Sequence, residues 1–281
     1  MKLAIITDIH HGAPSHTKRG DAAMDLMARF AEEVNAAAPD LVFDLGDRIT
    51  DADHATDVAL MRDVAQAFGA VDAPVHHICG NHDRYHLSVA ENAEIMGQDL
   101  SNKVIDAGAW QIVLWRAEAQ ITWADEYRGF DLPESDYLWL ANTVAAARKP
   151  TLILSHVPVS GHAQTGNYYF EANPAFATYP QAPRVRHALA LACVPVVFLS
   201  GHVHWNTVTQ VNGVTHLTQQ SLTESFTTGG APAGAWGTLE LGKDTVNWTV
   251  HGLDPLSCKL PVSSQRWTPP LAPFPRGRPK G

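Results

Sequence analysis

Residues 5–10 read Ile-Ile-Thr-Asp-Ile-His, an apolar run that ends in an Asp-x-His motif. Four later stretches also place polar side chains directly after a short apolar run: Gly46-Asp47, Gly80-Asn81-His82-Asp83, Ser155-His156 and Gly201-His202-Val203-His204. In an extended chain residues i and i+2 point the same way, so the two polar side chains of Asp-x-His, or of His-x-His, can face one cavity. Five such stretches predict a site built at the ends of strands.

The first 80 residues predict a βαβαβ unit. Strand patterns at 2–7, 41–45 and 75–79 alternate with helical patterns at 21–37 and 57–68, the first helix being capped by Asp21. Three strands joined in this way are expected to be parallel, with right-handed crossovers and their carboxyl ends at one edge of the sheet. Motif residues follow all three strands, so topology and chemistry agree.

The rest of the chain continues as an α/β protein. Further helices are predicted from Ser88 to about residue 96, over 133–147 and over 184–192, and the long loop 157–182 has the length of a functional loop. Further strands are predicted at 109–115, 121–124, 151–154, 196–199, 207–211, 214–218, 235–241 and 245–250. We predict a catalytic domain over 1–254 and a tail over 255–281, which is rich in proline and has five basic residues and no acidic one. The tail is expected to be disordered or to lie on a partner, so a homo-oligomer is one alternative.

Composition excludes several classes of protein. Among 281 residues, 45% are hydrophobic and 17% charged, an ordinary globular balance, and no run of about 18 uncharged apolar residues predicts a membrane span. A net charge of −9 argues against a nucleic-acid footprint, which needs clustered basic residues. The three cysteines show no paired spacing, and the first motif begins too early for a cleaved leader; a cytoplasmic protein is therefore expected.

The donor types in the five stretches predict a metal centre. Carboxylates, imidazoles and one amide suit Mn, Fe, Zn or Co, whereas the lack of cysteine in the motifs argues against a structural zinc site. Seven ligands are expected, of which only two are anionic: Asp8, His10, Asp47, Asn81, His156, His202 and His204. Two divalent ions would then leave a residual charge of about +2, which suits a phosphate ester, and a hydroxide shared between the ions is a nucleophile at neutral pH.

These motifs, in this order over residues 8–204, resemble the calcineurin-like metallophosphoesterase superfamily. The resemblance implies a four-layer αββα sandwich of two mixed β-sheets flanked by helices. It implies that Asp8, His10, Asp47 and His204 hold a first metal, and that Asn81, His156, His202 and a bridging Asp47 hold a second. It also implies that His82 binds phosphate or protonates the leaving group, with Asp83 orienting it.

Departures from the family pattern indicate a subfamily. Arg48-Ile49-Thr50 follows Asp47, without the tyrosine that purple acid phosphatases place three residues past the aspartate and without the Asp-Arg-Gly of Ser/Thr protein phosphatases. The chain looks most like class III cyclic nucleotide phosphodiesterases and bacterial glycerophosphodiesterases, which implies a small phosphodiester substrate. The alternatives are a phosphomonoesterase or pyrophosphatase, a nuclease, which an acidic chain disfavours, and a catalytically silent scaffold of the same fold.

Residues outside the motifs have two interpretations each. His162, Tyr168 and Trp205 are candidate substrate contacts, together with Tyr169 and Phe170, but loop aromatics also pack onto their own domain. Arg48 would contact a phosphate oxygen or pair with a nearby aspartate. Asp44 is expected to be structural, and Cys79 to be buried and inert.

Overall fold

Two six-stranded sheets dominate the computed structural model, which describes residues 1–124, 127–263, 267–268 and 271–273. In chain order the elements are β1 (Lys2–Ile6), α1 (Ala23–Ala37), β2 (Leu41–Asp44), α2 (His54–Phe68), β3 (Val75–His77), α3 (Val89–Met96), β4 (Lys103–Ala107), β5 (Trp110–Leu114), β6 (Ile121–Trp123), β7 (Arg128–Phe130), α4 (Glu134–Ala146), β8 (Thr151–Ser155), α5 (Ala182–Ala190), β9 (Val196–Ser200), β10 (Thr207–Val211), β11 (Val214–Thr218), β12 (Trp236–Leu241), β13 (Thr245–His251) and β14 (Leu256–Pro261). Short 3₁₀ turns lie at Gly20–Ala22, His82–Arg84 and Pro174–Phe176. None of the helices in these ranges combines the length and apolar character needed to cross a bilayer.

Both large sheets are mixed. The first has the order β14-β13-β12-β1-β2-β3, and the second β10-β11-β9-β8-β5-β4. β1, β2 and β3 are parallel, as the βαβαβ pattern predicts, and β12 runs antiparallel on the other side of β1. In the second sheet β5, β8, β9 and β11 are parallel. The carboxyl ends of the central strands of each sheet therefore lie at one edge.

Alternating side chains of the strands build the four layers. In β1, Leu3 and Ile5 join the core between the sheets, while Ala4 and Ile6 face α1 on the outside. In the second sheet, Ile112 and Leu114 face inward and Val113 faces the outer helices. The outer layers are completed by Met27, Phe30 and Val34 of α1 and by Leu140, Val144, Val185 and Leu189 of α4 and α5. The predicted αββα sandwich is confirmed.

Local signals set most helix ends. Asp53 caps α2 by accepting a hydrogen bond from the Thr56 N–H at 3.0 Å, so this helix begins three residues before its predicted start. Ser88 and Glu91 form the predicted capping box of α3, and Gly97 ends that helix in the left-handed conformation. Asp21 is not a helix cap, because it lies in the 3₁₀ turn before α1.

Three strands were not predicted: β4, β7 and β14. β4 is an edge strand with mostly exposed side chains, so it lacks an apolar run. β14 pairs with β13 over the first residues of the predicted 255–281 tail, and its Leu260 side chain is buried. The proline-rich composition masked this alternation. The remainder of the predicted tail lies largely outside the described residues, and its disorder stays a prediction.

Candidate metal centre

The seven predicted ligands converge at the shared edge of the two sheets. Asp8 and His10 follow β1, Asp47 follows β2 and Asn81 follows β3; His156 follows β8, and the pair His202 and His204 follows β9. Backbone hydrogen bonds join the loops, from Asp8 N to Gly46 O and from His10 N to Asp47 O, both at 2.9 Å. The parallel topology thus brings together residues that are almost 200 positions apart.

The ligand atoms form two clusters that share Asp47. The first contains Asp8, His10, Asp47 and His204, and the second contains Asp47, His156 and His202; within each, the ligand atoms lie within 4.8 Å of one another. His204 Nε2 is 3.3 Å from Asp8 Oδ1, and His156 Nε2 is 3.4 Å from Asp47 Oδ2. Asn81 Oδ1 joins the second cluster, 3.2 Å from His156 Nε2. This is the grouping that the family resemblance implies.

Unpartnered atoms show that the clusters fit metal ions. Asp8 Oδ1, Asp47 Oδ2 and His202 Nδ1 are buried and have no hydrogen-bond partner within the part of the chain that the structure describes. Nε2 of His10 lies 3.0 Å from Nε2 of His204. Buried carboxylate oxygens without a partner are costly, and a cation between them and the imidazoles offsets that cost. Two metal ions bridged by Asp47 therefore suit this arrangement.

Three imidazoles are held in place through their other ring nitrogen. His156 Nδ1 donates to the Leu45 carbonyl at 2.9 Å, and His202 Nε2 donates to the Phe176 carbonyl at 2.7 Å. His204 Nδ1 lies 2.8 Å from Glu224 Oε2. Such partners fix the tautomer and ring orientation of metal-binding histidines. The other nitrogen of His204 is left for the first cluster, and those of His156 and His202 are left for the second.

Backbone strain aims the ligands. Asp8, His10, Asp47, His202 and His204 have φ values of 53°, 47°, 56°, 69° and 60°, the left-handed region that non-glycine residues rarely occupy. Each such residue costs on the order of 1–3 kcal/mol and persists only where surrounding structure enforces it. The expectation that Asp-x-His and His-x-His use extended chain is therefore wrong. Their side chains converge through left-handed turns.

Two motif glycines are required by close approach. A Cβ at Gly80 would lie 2.2 Å from Asp47 Oδ1, and one at Gly201 would lie 1.9 Å from Thr7 Oγ1 and 2.6 Å from Asp8 Oδ2. Any side chain at either position would displace a predicted ligand. The glycines that precede Asn81 and His202 are thus part of the site.

In the metal centre, attraction between carboxylates and imidazoles opposes the effect of burial on their pKa values. Burial would raise the pKa of Asp47, but the imidazoles of His156 and His82 hold the pKa well below its usual range. Burial would lower the pKa of His156, yet the charge of Asp47 raises that pKa to about 9. His202 lacks a comparable hydrogen-bonded carboxylate, and burial lowers its pKa to about 3.

A buried ion network supports the loops behind the ligands. Asp83 accepts hydrogen bonds from the N–H groups of Asp47 (3.0 Å) and Arg48 (2.8 Å) and from the Arg48 guanidinium (2.7 Å). Arg48 also pairs with Asp44 at 2.7 Å, and all three side chains of the network are fully buried. Arg48 therefore pairs with nearby aspartates, the second of its two predicted roles, and Asp44 is structural as expected. Burial raises the pKa of Cys79 to about 12, in keeping with an inert thiol.

His82 is oriented by Asp51, not by Asp83. The 3₁₀ turn over His82–Arg84 points Asp83 into the core, whereas the His82 side chain lies at the cavity. Nδ1 of His82 contacts Asp51 Oδ1, and the His82 N–H donates to Asp47 Oδ1 at 2.8 Å. His82 therefore faces the cavity, with Asp51 behind it.

A cavity of about 240 Å³ opens onto both clusters. Tyr168, a predicted substrate contact, lines it, as do Tyr169 and Phe170. His162 instead lines a neighbouring cavity, and Trp205 lies behind the wall with Nε1 donating to Gln164 Oε1 at 3.0 Å. The two rings pack against each other edge to face at 5.6 Å. The structure therefore does not place His162 or Trp205 at the site.

Sequence reasoning missed two polar residues of the site, Lys18 and Asp51, and gave a third, Glu224, no role beyond membership of a segment that could wall the site. Asp51 lies four residues after Asp47, Glu224 follows β11, and Lys18 is in the loop after β1. None of the three belongs to a motif. Proximity to a ligand in the chain was the available signal for Lys18 and Asp51, which follow His10 and Asp47 by eight and four residues, but not for Glu224.

The fold and the paired clusters define a dimetal phosphoesterase scaffold. The family model for calcineurin-like phosphoesterases matches residues 1–206, and the chain belongs to this family. No curated protein sequence matches the chain significantly.

Solved structures show the same fold at low identity. A dimetal phosphatase from Danio rerio has a TM-score of 0.73 and 16% identity, covering 93% of this chain and 99% of its own. Purple acid phosphatase PPD1 from yellow lupin has a TM-score of 0.63 and 12% identity, covering 97% of this chain and 57% of its own. GAP50 of Plasmodium, described as the anchor in the inner membrane complex, has a TM-score of 0.55 and 14% identity over 94% of this chain and 89% of its own.

Proposed function

We propose that the protein is a metal-dependent phosphodiesterase that hydrolyses a small phosphodiester with two metal ions. The observation that carries this proposal is the pair of ligand clusters sharing Asp47, which open onto one cavity beside His82. We propose that the bound ions are Mn, Fe, Zn or Co, since all four accept carboxylate and imidazole ligands. When bound, such ions would polarise phosphoryl oxygens and lower the pKa of water.

The protein's own side chains divide the remaining work. Asp47 would hold both ions through its carboxylate, and the Asn81 amide would complete the second cluster. His82 would donate a proton from Nε2 to the departing alkoxide, because Nδ1 is engaged by Asp51. Asp51 is a positioning residue, which keeps the ring turned toward the cavity.

Aromatic side chains supply a surface for the organic part of the ester. Tyr168 is 55% exposed and Tyr169 is 40% exposed, and both line the cavity with Trp123, which is 54% exposed. Tyr168 stacks with Phe226 across the wall, with ring centroids 6.4 Å apart. Exposed aromatic rings grouped at a cavity favour an organic group over water as their partner. This supports an ester whose alcohol is an organic molecule.

The experiment compares two chromogenic esters on metal-loaded protein after elemental analysis of its metal content. We expect bis(p-nitrophenyl) phosphate to be hydrolysed with the higher kcat/KM, and p-nitrophenyl phosphate with the lower. The Asp47→Asn variant is expected to lose the metal ion of the second cluster and, with it, the activity. A panel of cyclic nucleotides, glycerophosphodiesters and alkyl diesters then identifies the alcohol. A clear preference for the monoester overturns the diester assignment.

The first alternative is a phosphomonoesterase or pyrophosphatase that uses the same ligands. Lys18 is the observation that favours it, because an ammonium group at the cavity also suits a more highly charged phosphate. The second alternative, a silent scaffold, is consistent with the anchor described for GAP50. Unchanged metal content and hydrolysis in Asp47→Ala would support the scaffold.

Location and assembly are also proposed. Cysteine spacing supports a cytoplasmic location, and the net charge of −9 supports a small-molecule substrate over nucleic acid. A homo-oligomer that uses the 255–281 tail stays a prediction, which sedimentation of the full chain can test.

A further inference from the structure

The loop between Gly12 and Gly20 places a basic side chain, Lys18, at the cavity. Gly12 N donates to Gly20 O at 3.3 Å and closes the loop, and a tight turn inside it pairs Ser15 with Lys18 through two backbone hydrogen bonds of 3.1 and 2.9 Å. The Lys18 side chain lines the same cavity as the two ligand clusters. A residue eight positions past the last ligand of the first motif therefore reaches the site.

The position of Lys18 is fixed on both sides of the turn. Ser225 Oγ donates to the Thr17 carbonyl at 2.5 Å, and Arg19 N donates to the Thr223 carbonyl at 3.0 Å. Gly20 lies so close to the backbone of His10 that a Cβ there would be 2.3 Å from the His10 carbonyl oxygen. The loop is tied to the β11–β12 connection and to the first motif, so the backbone of Lys18 is held beside the cavity that its side chain lines.

The Lys18 ammonium has unused hydrogen-bonding capacity. Nζ lies 3.3 Å from His82 Nε2, its one neighbour within hydrogen-bond reach among the side chains of the described residues. When Nε2 carries the proton for the leaving group, both groups are donors, so all three N–H donors of the lysine are left for another acceptor. Burial lowers the pKa of Lys18, and carboxylates that all have closer partners oppose this shift: Asp47, Asp51, Asp8 and Glu224.

Bound metal ions would remove much of the stabilisation that these carboxylates give to the Lys18 ammonium. Asp8 and Asp47 would be neutralised as ligands, while Asp51 remains with His82 and Glu224 with His204. An ammonium with free donors then faces a cavity of positive charge. Its natural partner is an anion that enters with the substrate.

We propose that Lys18 is a substrate-binding residue, which pairs with a non-bridging phosphoryl oxygen on the His82 side of the substrate. The inference rests on the proposed function for the identity of the anion. Because Lys18 and His82 are neighbours, the same contact places the leaving-group oxygen beside His82. Lys18 adds to the affinity for every phosphate ester, diesters included, because each carries at least one anionic non-bridging oxygen.

The test measures binding of inorganic phosphate to metal-loaded protein by calorimetry, at low and at high salt. Lys18→Met is expected to raise the Kd for phosphate by about 10- to 100-fold, which is the range of a hydrogen bond to a charged group. It should also reduce the salt dependence of phosphate binding. Lys18→Arg keeps the charge and should retain most of the affinity. Lys243→Met, at an exposed lysine outside the cavity, is the matched control and should bind as the wild type does.

Melting temperature and metal content are measured for each variant. These controls separate unfolding and loss of metal ions from loss of the Lys18 ammonium itself. Wild-type affinity in Lys18→Met overturns the proposal, as does equal loss in Lys18→Met and Lys18→Arg, or an absence of phosphate binding in the wild type. Phosphate binding that depends on Lys18 in a protein that hydrolyses no diester overturns the proposed function alone. Diester hydrolysis with phosphate affinity that is independent of Lys18 overturns the Lys18 proposal alone.

Discussion

Glu224 Oε2 lies 2.8 Å from Nδ1 of His204, on the side of the ring away from the first ligand cluster. The other carboxylate oxygen, Oε1, accepts the N–H groups of Ser225 at 2.7 Å and Phe226 at 3.2 Å, so the carboxylate itself cannot turn. Burial would raise the pKa of Glu224, but the His204 contact lowers that pKa to about 2. Glu224 is therefore ionised at neutral pH and directs Nε2 of His204 at the cluster.

The first prediction concerns this carboxylate. Glu224→Gln keeps the shape of the side chain but removes the charge that holds the His204 tautomer, and loss of such a partner lowers metal affinity by roughly 10- to 100-fold. Titration with metal against a competing chelator measures the change. Glu32→Gln, on the exposed face of α1, is the control. Equal metal affinity in the two variants would show that His204 does not depend on Glu224.

A second prediction concerns the buried arginine. Arg48→Met removes the cationic partner of both Asp44 and Asp83. His77 Nδ1 and backbone N–H groups still bond to the two buried carboxylates, but loss of the guanidinium charge costs about 3–5 kcal/mol. Urea unfolding followed by circular dichroism measures the loss. Arg62→Met, at an exposed position of α2, should stay within about 0.5 kcal/mol of the wild type. A small effect at both positions would mean that solvent reaches the network.

The ligands could be predicted from sequence because parallel strands dictate where their ends meet. Asp47 and His156 are 109 positions apart in the chain, yet each follows a strand whose carboxyl end must lie at the common edge. The family resemblance of these motifs implied the sandwich, and the alternation in β1 agrees with it, since Leu3 joins the core between the sheets and Ala4 faces α1. Motif order and strand periodicity are both local signals.

The remaining parts of the site depend on contacts between loops, which no local pattern encodes. Asp83 belongs to a motif and Asp51 lies four residues after one, and only the direction of the 3₁₀ turn decides which of the two contacts His82. Trp205 follows a ligand directly but lies behind the wall, because His204 occupies a left-handed conformation. Strained backbone of this kind is stabilised by tertiary structure, so sequence propensity does not reveal it.

A third prediction separates proton donation from metal binding. Asp51→Asn weakens the hold on His82 Nδ1, so proton transfer to the leaving group becomes less effective. The defect in kcat should be several-fold or less for p-nitrophenyl esters, whose leaving group needs little protonation, and about 100-fold or more for alkyl diesters. Steady-state kinetics on the two substrate types measures it. Metal content should match that of the wild type and of an Asp25→Asn control in α1. An equal loss on both substrates would assign Asp51 to metal or substrate binding instead.

The last prediction concerns the pH dependence of stability and uses a residue away from the site. His216 lies in β11 with its ring against Phe198 at 5.6 Å, and neither ring nitrogen has a hydrogen-bond partner among the described residues. Burial, aided by the charge of Arg186, lowers the pKa of His216 to about 3. Unfolding returns this pKa to its usual value of about 6.5. Between these values the unfolded chain binds a proton that the folded chain does not.

Stability should therefore be complete above pH of about 6.5 and fall as the pH decreases toward 3, since the unfolding free energy rises with pH wherever the unfolded state binds more protons. His216→Phe removes this dependence and fills the same space with an apolar ring. Relative to the wild type, the variant should gain about 2 kcal/mol more unfolding free energy at pH 5 than at pH 8, from 1.36 kcal/mol per pKa unit. Urea unfolding at the two pH values measures the difference. His187→Gln, exposed on α5, should show no such change. Parallel pH profiles for His216→Phe and wild type would mean that the folded protein accommodates a protonated His216, and a buried neutral imidazole would then be excluded.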